Sequence, residues 1–318
     1  MKKILSLLLA IALIAGLSAC GGEQPATEAV TEAATGAAQE TESKETLPPA
    51  TEVPETEAPT EAEPAYTADQ LVLVDNENVT VAVTGFEENA YLGTQMHVYL
   101  ENKTDRTLMF SLDGVSVCGV MHDPLWAEEV TPGKKANSIV YFDTFTLSEQ
   151  GVEALDEISF RLHVIDNDNW MDEPIVDDTF QIFPTGLTAE TVVYPEYRHK
   201  NGETVVLDND KLLFIVEKVD DADDGFYTLN CYIANRTDRD LLVSWDGVSV
   251  NGFMADPFWA AAVGAEKQLY TQIRFFASDL EEQGIETVTE IEFTLTASDY
   301  ENFEMDNVVE ETLTFLPK

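Results

Sequence analysis

Apolar and polar residues alternate with a period of two over most of the chain beyond about residue 67. In "EISFRLHV" Ile158, Phe160, Leu162 and Val164 alternate with Ser159, Arg161 and His163, and "EIEFTLTA" repeats this with Ile291, Phe293 and Leu295. "QMHVYLEN" sets Met96, Val98 and Leu100 on one face, and "TLNCYIAN" sets Leu229, Cys231 and Ile233 there. Strict alternation predicts half-buried strands of antiparallel sheets, because successive side chains leave a strand on opposite faces. Further strands are predicted at Val79–Thr84, Thr107–Val117, Ser138–Phe142 and Asp178–Phe183.

These patterns occur twice. "DGVSVCGVMHDPLWA" from Asp113 to Ala127 returns as "DGVSVNGFMADPFWA" from Asp246 to Ala260, an offset of 133 residues. At that offset Asn102-Lys103-Thr104-Asp105-Arg106 faces Asn235-Arg236-Thr237-Asp238-Arg239, and Glu149-Gln150-Gly151 faces Glu282-Gln283-Gly284. The match runs without a gap from Asp75 to Pro184 in the first copy. A period this long means a duplicated domain, not a solenoid.

Six or seven short strands in each copy predict an all-β fold of two tandem immunoglobulin-like β-sandwich domains, over 67–185 and 203–318, joined by a linker over 186–202. Thr146-x-x-Glu149 and Asp279-x-x-Glu282 have the form of capping boxes, with Gly151 and Gly284 placed to stop a helix. Within the doubled phrase, Asp113-Gly114 and Asp246-Gly247 read as turns between strands, and so do Cys118-Gly119 and Asn251-Gly252. Asp123-Pro124 and Asp256-Pro257 predict an N-cap before proline at the first position of a helical turn. Trp126 and Trp259 then serve either as plugs of the sandwich or, with Phe258, as an aromatic platform for a ligand. Both readings stay open at this stage.

The N-terminal part has another composition. Lys2 and Lys3 precede an apolar run from Ile4 to Leu17, which predicts a secretory signal over 1–20. From 21 to 66 the chain is rich in Thr, Glu, Pro and Ala. It has almost nothing to offset ordering entropy, so a disordered tether is expected.

The formal net charge of −43, from 17 Lys and Arg against 60 Asp and Glu, argues against nucleic acid as a partner. It also argues against adsorption to anionic lipid. Besides Cys20 only Cys118 and Cys231 occur, and they occupy different positions of their repeats, so both are expected as free thiols.

Leu17-Ser18-Ala19-Cys20 resembles the lipobox of bacterial lipoproteins, and with the tandem "VSVNG…DPFWA" phrase the chain resembles the Gram-positive surface lipoproteins built of tandem β-sandwich repeats. The first copy departs from that phrase at Cys118 and Leu125. The resemblance implies lipid attachment at Cys20, which becomes the mature N-terminus, and a place on the extracytoplasmic face of the cell membrane. Two acyl chains anchor stably where one is marginal. No activity is assigned to that family, so architecture and location are all that the resemblance implies.

The four histidines, His97, His122, His163 and His199, are too scattered to form an evident catalytic or zinc set. No Gly-x-Ser-x-Gly, His-Glu-x-x-His or phosphate loop is present, so neither an enzyme nor a cofactor is expected. Asp220-Asp221-Ala222-Asp223-Asp224-Gly225 begins like a calcium loop but has Ala222 at its third position and Cys231 at its twelfth, and Asp166-Asn167-Asp168-Asn169 is similarly incomplete, so no metal site is expected. The basic cluster Arg198-His199-Lys200 is expected to neutralise nearby carboxylates. The leading functional expectation is a non-catalytic, lipid-anchored protein that binds a protein or glycan at the cell surface. A spacer without a ligand and a calcium-dependent adhesion module are the alternatives.

Overall fold

The computed structural model describes residues 70–221, 225–302 and 306–317. The predicted signal, Cys20 and the tether lie outside the described residues. Among the described residues no helix is long and apolar enough to cross a membrane.

In the first repeat, β1 (Leu71–Asp75), β2 (Val79–Asn89), β3 (Gly93–Asn102) and β7 (Lys135–Phe142) form one antiparallel sheet in that order. β4 (Leu108–Val117), β8 (Ile158–Asp166) and β9 (Val176–Ile182) form the other, with β5 (Val120–Met121) and β6 (Ala127–Val130) on the outer edge of β4. The chain enters the second sheet at β4, returns at β7 beside β3, and crosses again at β8 beside β4. This is the strand order of the immunoglobulin-like sandwich.

The second repeat repeats it. β10 (Thr204–Asp208), β11 (Leu212–Asp221), β12 (Phe226–Asn235) and β16 (Gln268–Phe276) face β13 (Leu241–Val250), β14 (Phe253–Met254), β15 (Ala260–Val263), β17 (Ile291–Asp299) and β18 (Val309–Phe315).

Alternation places one face of each strand in a core. Val81, Val98 and Val140 from one sheet meet Phe110, Phe160 and Leu162 from the other in the first repeat. Phe214, Cys231 and Ile273 meet Trp245, Phe293 and Leu295 in the second. Each such side chain contributes about 1.5–3 kcal/mol by leaving water. Trp245 stacks on Phe293 with centroids 3.7 Å apart, so the second core holds an aromatic pair where the first has Leu112 and Phe160.

Three local expectations are corrected. Asp113-Gly114 and Asp246-Gly247 do not turn the chain; each sits inside one strand, β4 or β13, as a bulge with the glycine at φ 56 or 60. The extra residue is absorbed there because glycine tolerates that conformation. The real hairpin turns are Cys118-Gly119 and Asn251-Gly252, where both central residues have positive φ, as a tight primed turn requires.

Asp123-Pro124 and Asp256-Pro257 start no helical turn. Asp123 Oδ1 accepts the N–H of Leu125 and Asp256 Oδ1 that of Phe258, both at 2.8 Å, and the residue after the proline takes the left-handed conformation.

The helices start earlier than the capping-box pattern predicts, as α1 (Thr144–Glu149) and α2 (Ala277–Glu282). Asp143 caps α1, its carboxylate accepting from the N–H groups of Phe145 and Thr146. Phe276 holds that place in α2 and makes no side-chain cap. Gly151 and Gly284 do follow the helix ends with positive φ.

One contact was not legible in the repeat pattern. Val120 of β5 pairs in parallel with Gln268 of β16, and the N–H of Gln268 donates to the carbonyl of Gly119 at 2.9 Å. This single bridge joins a sheet of one repeat to a sheet of the other.

Candidate functional site

The doubled phrase builds the same loop in both copies, and its residues part into two groups. The indoles turn inward. Trp126 packs against the first core and its Nε1 donates to Ser138 Oγ at 2.9 Å, while Ser138 Oγ donates to Glu128 at 2.7 Å. Trp259 packs against the second core, edge-on to Phe214 and Trp245, and donates to Thr271 Oγ1 at 3.3 Å. Each indole thus bolts the loop between two strands of one sheet to the edge strand of the other.

The residue before each indole does the opposite. Leu125 and Phe258, both at φ 48, are 89% and 88% exposed. The Asp-Pro-x sequence fits a turn whose third residue needs positive φ, a place glycine ordinarily fills. A bulky apolar side chain there costs about 1–2 kcal/mol of backbone strain and gains no burial. Of the three predicted contact residues, Trp126 and Trp259 are therefore framework with partly covered faces, and Phe258 is the one presented to solvent.

The edge beside that loop differs between copies. In the first repeat Val120 is fully buried and Cys118 nearly so, both within the first core, against which Tyr270 of the second repeat also packs. The Tyr194 ring lies against Gly119, 3.0 Å from where a Cβ would stand, and Pro195 lies 3.4 Å from the corresponding point at Gly151. Gln268 Nε2 donates to the Pro195 carbonyl at 2.8 Å. A cleft of about 650 Å³ remains there, lined by Cys118, Gly151, Tyr194, Tyr197, Arg198 and Tyr270 among others.

On the second repeat the matching edge is bare. Phe253 and Met254 are 50% and 70% exposed, and nothing approaches the Cβ points of Gly252 or Gly284 within 4 Å. The matching groove, beside α2 and lined by Leu280, Glu281, Gly284, Ile285 and Glu286 among others, has a volume of about 580 Å³.

The linker holds its own repeat by a polar anchor. Tyr197 stacks on Tyr232 at 4.1 Å and its hydroxyl donates to Glu203 and Glu217, at 2.9 and 3.0 Å. Burial and the two carboxylates push the phenol up, and burial pushes Tyr270 up to about 12. Lys200 pairs with Glu217 at 2.6 Å and His199 with Glu203, so two of the three residues of the basic cluster meet carboxylates.

The remaining candidates do not converge. His163 and Arg161 share Asp177, His97 faces Glu87 at 3.5 Å, and the ring of His122 accepts the N–H of Asp143 at 3.3 Å. Asp166 is consumed by Arg106, Asn169 and the N–H of Asp168. Residues 222–224 of the second acidic run lie outside the described residues. Among the described residues no group of three His, Cys, Asp or Glu is placed to hold a metal. Cys118 and Cys231 are free and buried, and burial pushes both thiols up.

Sequence reasoning missed Asn102 and Asn235. Each buried amide donates to backbone carbonyls across a loop, for Asn102 those of Arg106 and Val130 and for Asn235 those of Arg239, Val263 and Gly264, and accepts from a threonine N–H and hydroxyl. The signal was the Asn-x-Thr-Asp-Arg stretch shared by both copies.

No protein-family model matches the chain, and no curated protein does. Among solved structures it is similar to a Salmonella enterica SafA pilin in complex with the SafB chaperone, at 8% identity and a TM-score of 0.23, over 76% of this chain and 98% of that one. It is also similar to red sea bream transglutaminase, at 11% identity and a TM-score of 0.19, over 74% of this chain and 31% of that one. Likenesses this weak carry no argument about function.

Proposed function

We propose that this chain is a non-catalytic binding protein of the extracytoplasmic surface, anchored by lipid at Cys20, which engages a protein partner through the loop and edge of its second repeat. The observation that carries the reading is Phe258, an aromatic ring held 88% exposed on a left-handed backbone. Phe253 and Met254 of β14, a few residues earlier, are exposed as well, and exposed apolar groups beyond the scattered few mark interaction sites. The high negative charge supports a role away from nucleic acid and anionic lipid.

A spacer is the second reading, favoured by one observation: in the first repeat the same edge joins the two repeats. The test immobilises the full chain and passes surface-protein extract over it beside Phe258→Gly and Met254→Lys variants. Glycine relieves the left-handed strain, so the unfolding midpoint of Phe258→Gly should hold or rise while specific retention is lost. Equal retention by wild type and both variants leaves the spacer reading.

A further inference from the structure

We propose that the partner of this edge is a second copy of the chain, whose first repeat docks on the second repeat as the second docks on the first, giving head-to-tail association. The inference rests on the binding reading above and names the occupant of its Phe253–Met254 edge; Leu125, the counterpart of Phe258, stays 89% exposed beside the joint within the chain.

The joint within the chain is the template. Its acceptor half is the Cys118-Gly119 turn, β5 and the groove beside Gly151; its donor half is the start of β16 and the linker ahead of β10. Every part of the acceptor half has an unoccupied counterpart on the second repeat. Gly252 stands for Gly119, Phe253 and Met254 for Val120 and Met121, and Gly284 with its groove for Gly151. Apolar side chains that are covered in one copy are left bare in the other, on a backbone that repeats.

The strand edge of the donor half also has an open counterpart, on the first repeat. β7 corresponds to β16 and among the described residues pairs only with β3, so its outer edge is open there at Lys135, the counterpart of Gln268. In a second copy the N–H of Lys135 would reach the carbonyl of Gly252.

Charge favours this pairing over contact with an arbitrary acidic surface. Lys134 and Lys135, exposed at the donor edge, are 2 of only 17 basic side chains, whereas the open groove of the second repeat carries Glu281 and Glu286. Opposite charges at the rim fix register and speed encounter. Because donor and acceptor are different surfaces, the contact is heterologous, and it produces an open chain or a ring of copies, not a two-fold dimer.

Met121 Sδ lies 3.6 Å from the Cβ point of Gly264 in the template, and the matching pair between copies is Met254 and Thr131. The full chain in a Cys20→Ala background, with both Thr131→Cys and Met254→Cys, should give a ladder of disulfide-linked oligomers under mild oxidation. Mixing the two single variants should stop at a linked dimer, and each single variant alone should give none. Lys134→Glu should abolish the ladder and added Glu281→Lys should restore it.

No ladder, or a Met254→Cys chain that links to itself as readily, overturns the proposal. If the ladder is absent but Phe258-dependent retention of a different surface protein persists, the second copy is excluded and the binding reading stands. Loss of both removes both.

Discussion

Trp126 Nε1 donates to Ser138 Oγ at 2.9 Å, and that one bond ties the loop ahead of β6 to the edge strand of the opposite sheet. Ser138 is itself held by Glu128, so the indole ends in a satisfied polar chain and not in solvent. Trp126→Phe should therefore cost only the hydrogen bond, about 0.5–1.5 kcal/mol. Trp126→Ala should cost about 2–4 kcal/mol, below the range for a fully buried tryptophan because part of the ring is exposed. Urea unfolding of the two variants separates the terms, and equal losses would show that the ring contributes nothing.

Asn102 should be less replaceable than any residue of the exposed loop. Asn102→Leu strips donors from the carbonyls of Arg106 and Val130 and an acceptor from Thr104. Leaving such groups buried and unpaired costs about 1–3 kcal/mol each. The first repeat should then unfold at lower urea than the second, monitored by the fluorescence of Trp126 against that of Trp245. A loss under about 1 kcal/mol would mean that water replaces the amide.

Asp177 is held at about 2 by the Arg161 guanidinium, with His163 assisting. Its folded value lies below its ordinary one near 3.8, so the pair stabilises the protein above about pH 4 and that contribution disappears as pH falls towards 2. In Arg161→Gln, NMR titration of Asp177 should find the carboxyl back near its ordinary range. Both side chains are partly solvated, and the stability change should stay below about 1 kcal/mol.

His122 has the opposite charge and the same direction. Burial lowers its affinity for a proton, and its ring already accepts the N–H of Asp143. The unfolded chain therefore binds that proton more readily, so stability falls as pH drops below about 6.5. Ala255 occupies the matching place in the second repeat. His122→Ala should flatten the pH dependence between about 5 and 7, and an unchanged slope would assign it to other groups.

By itself the sequence determined the strands, the duplication and the inward faces, because alternation with period two reports burial locally and the ungapped offset reports it twice. It also placed the true turns at Cys118-Gly119 and Asn251-Gly252, where glycine meets a backbone need. Asp113-Gly114 misled because the same dipeptide serves a tight turn and a bulge, and only the partner strand β8 decides which. Thr146 looked like a cap because Asp143, three residues earlier, carries the same hydrogen-bonding chemistry.

The candidate site was the least legible part. "DPLWA" and "DPFWA" named the right loop, but which of its apolar residues faces water depended on a left-handed φ that no periodicity encodes. That one copy's edge is covered while its twin is bare was decided by tertiary structure, since the same turn and strand meet Tyr194, Pro195 and Gln268 on one repeat, while on the other nothing described approaches Gly252 or Gly284.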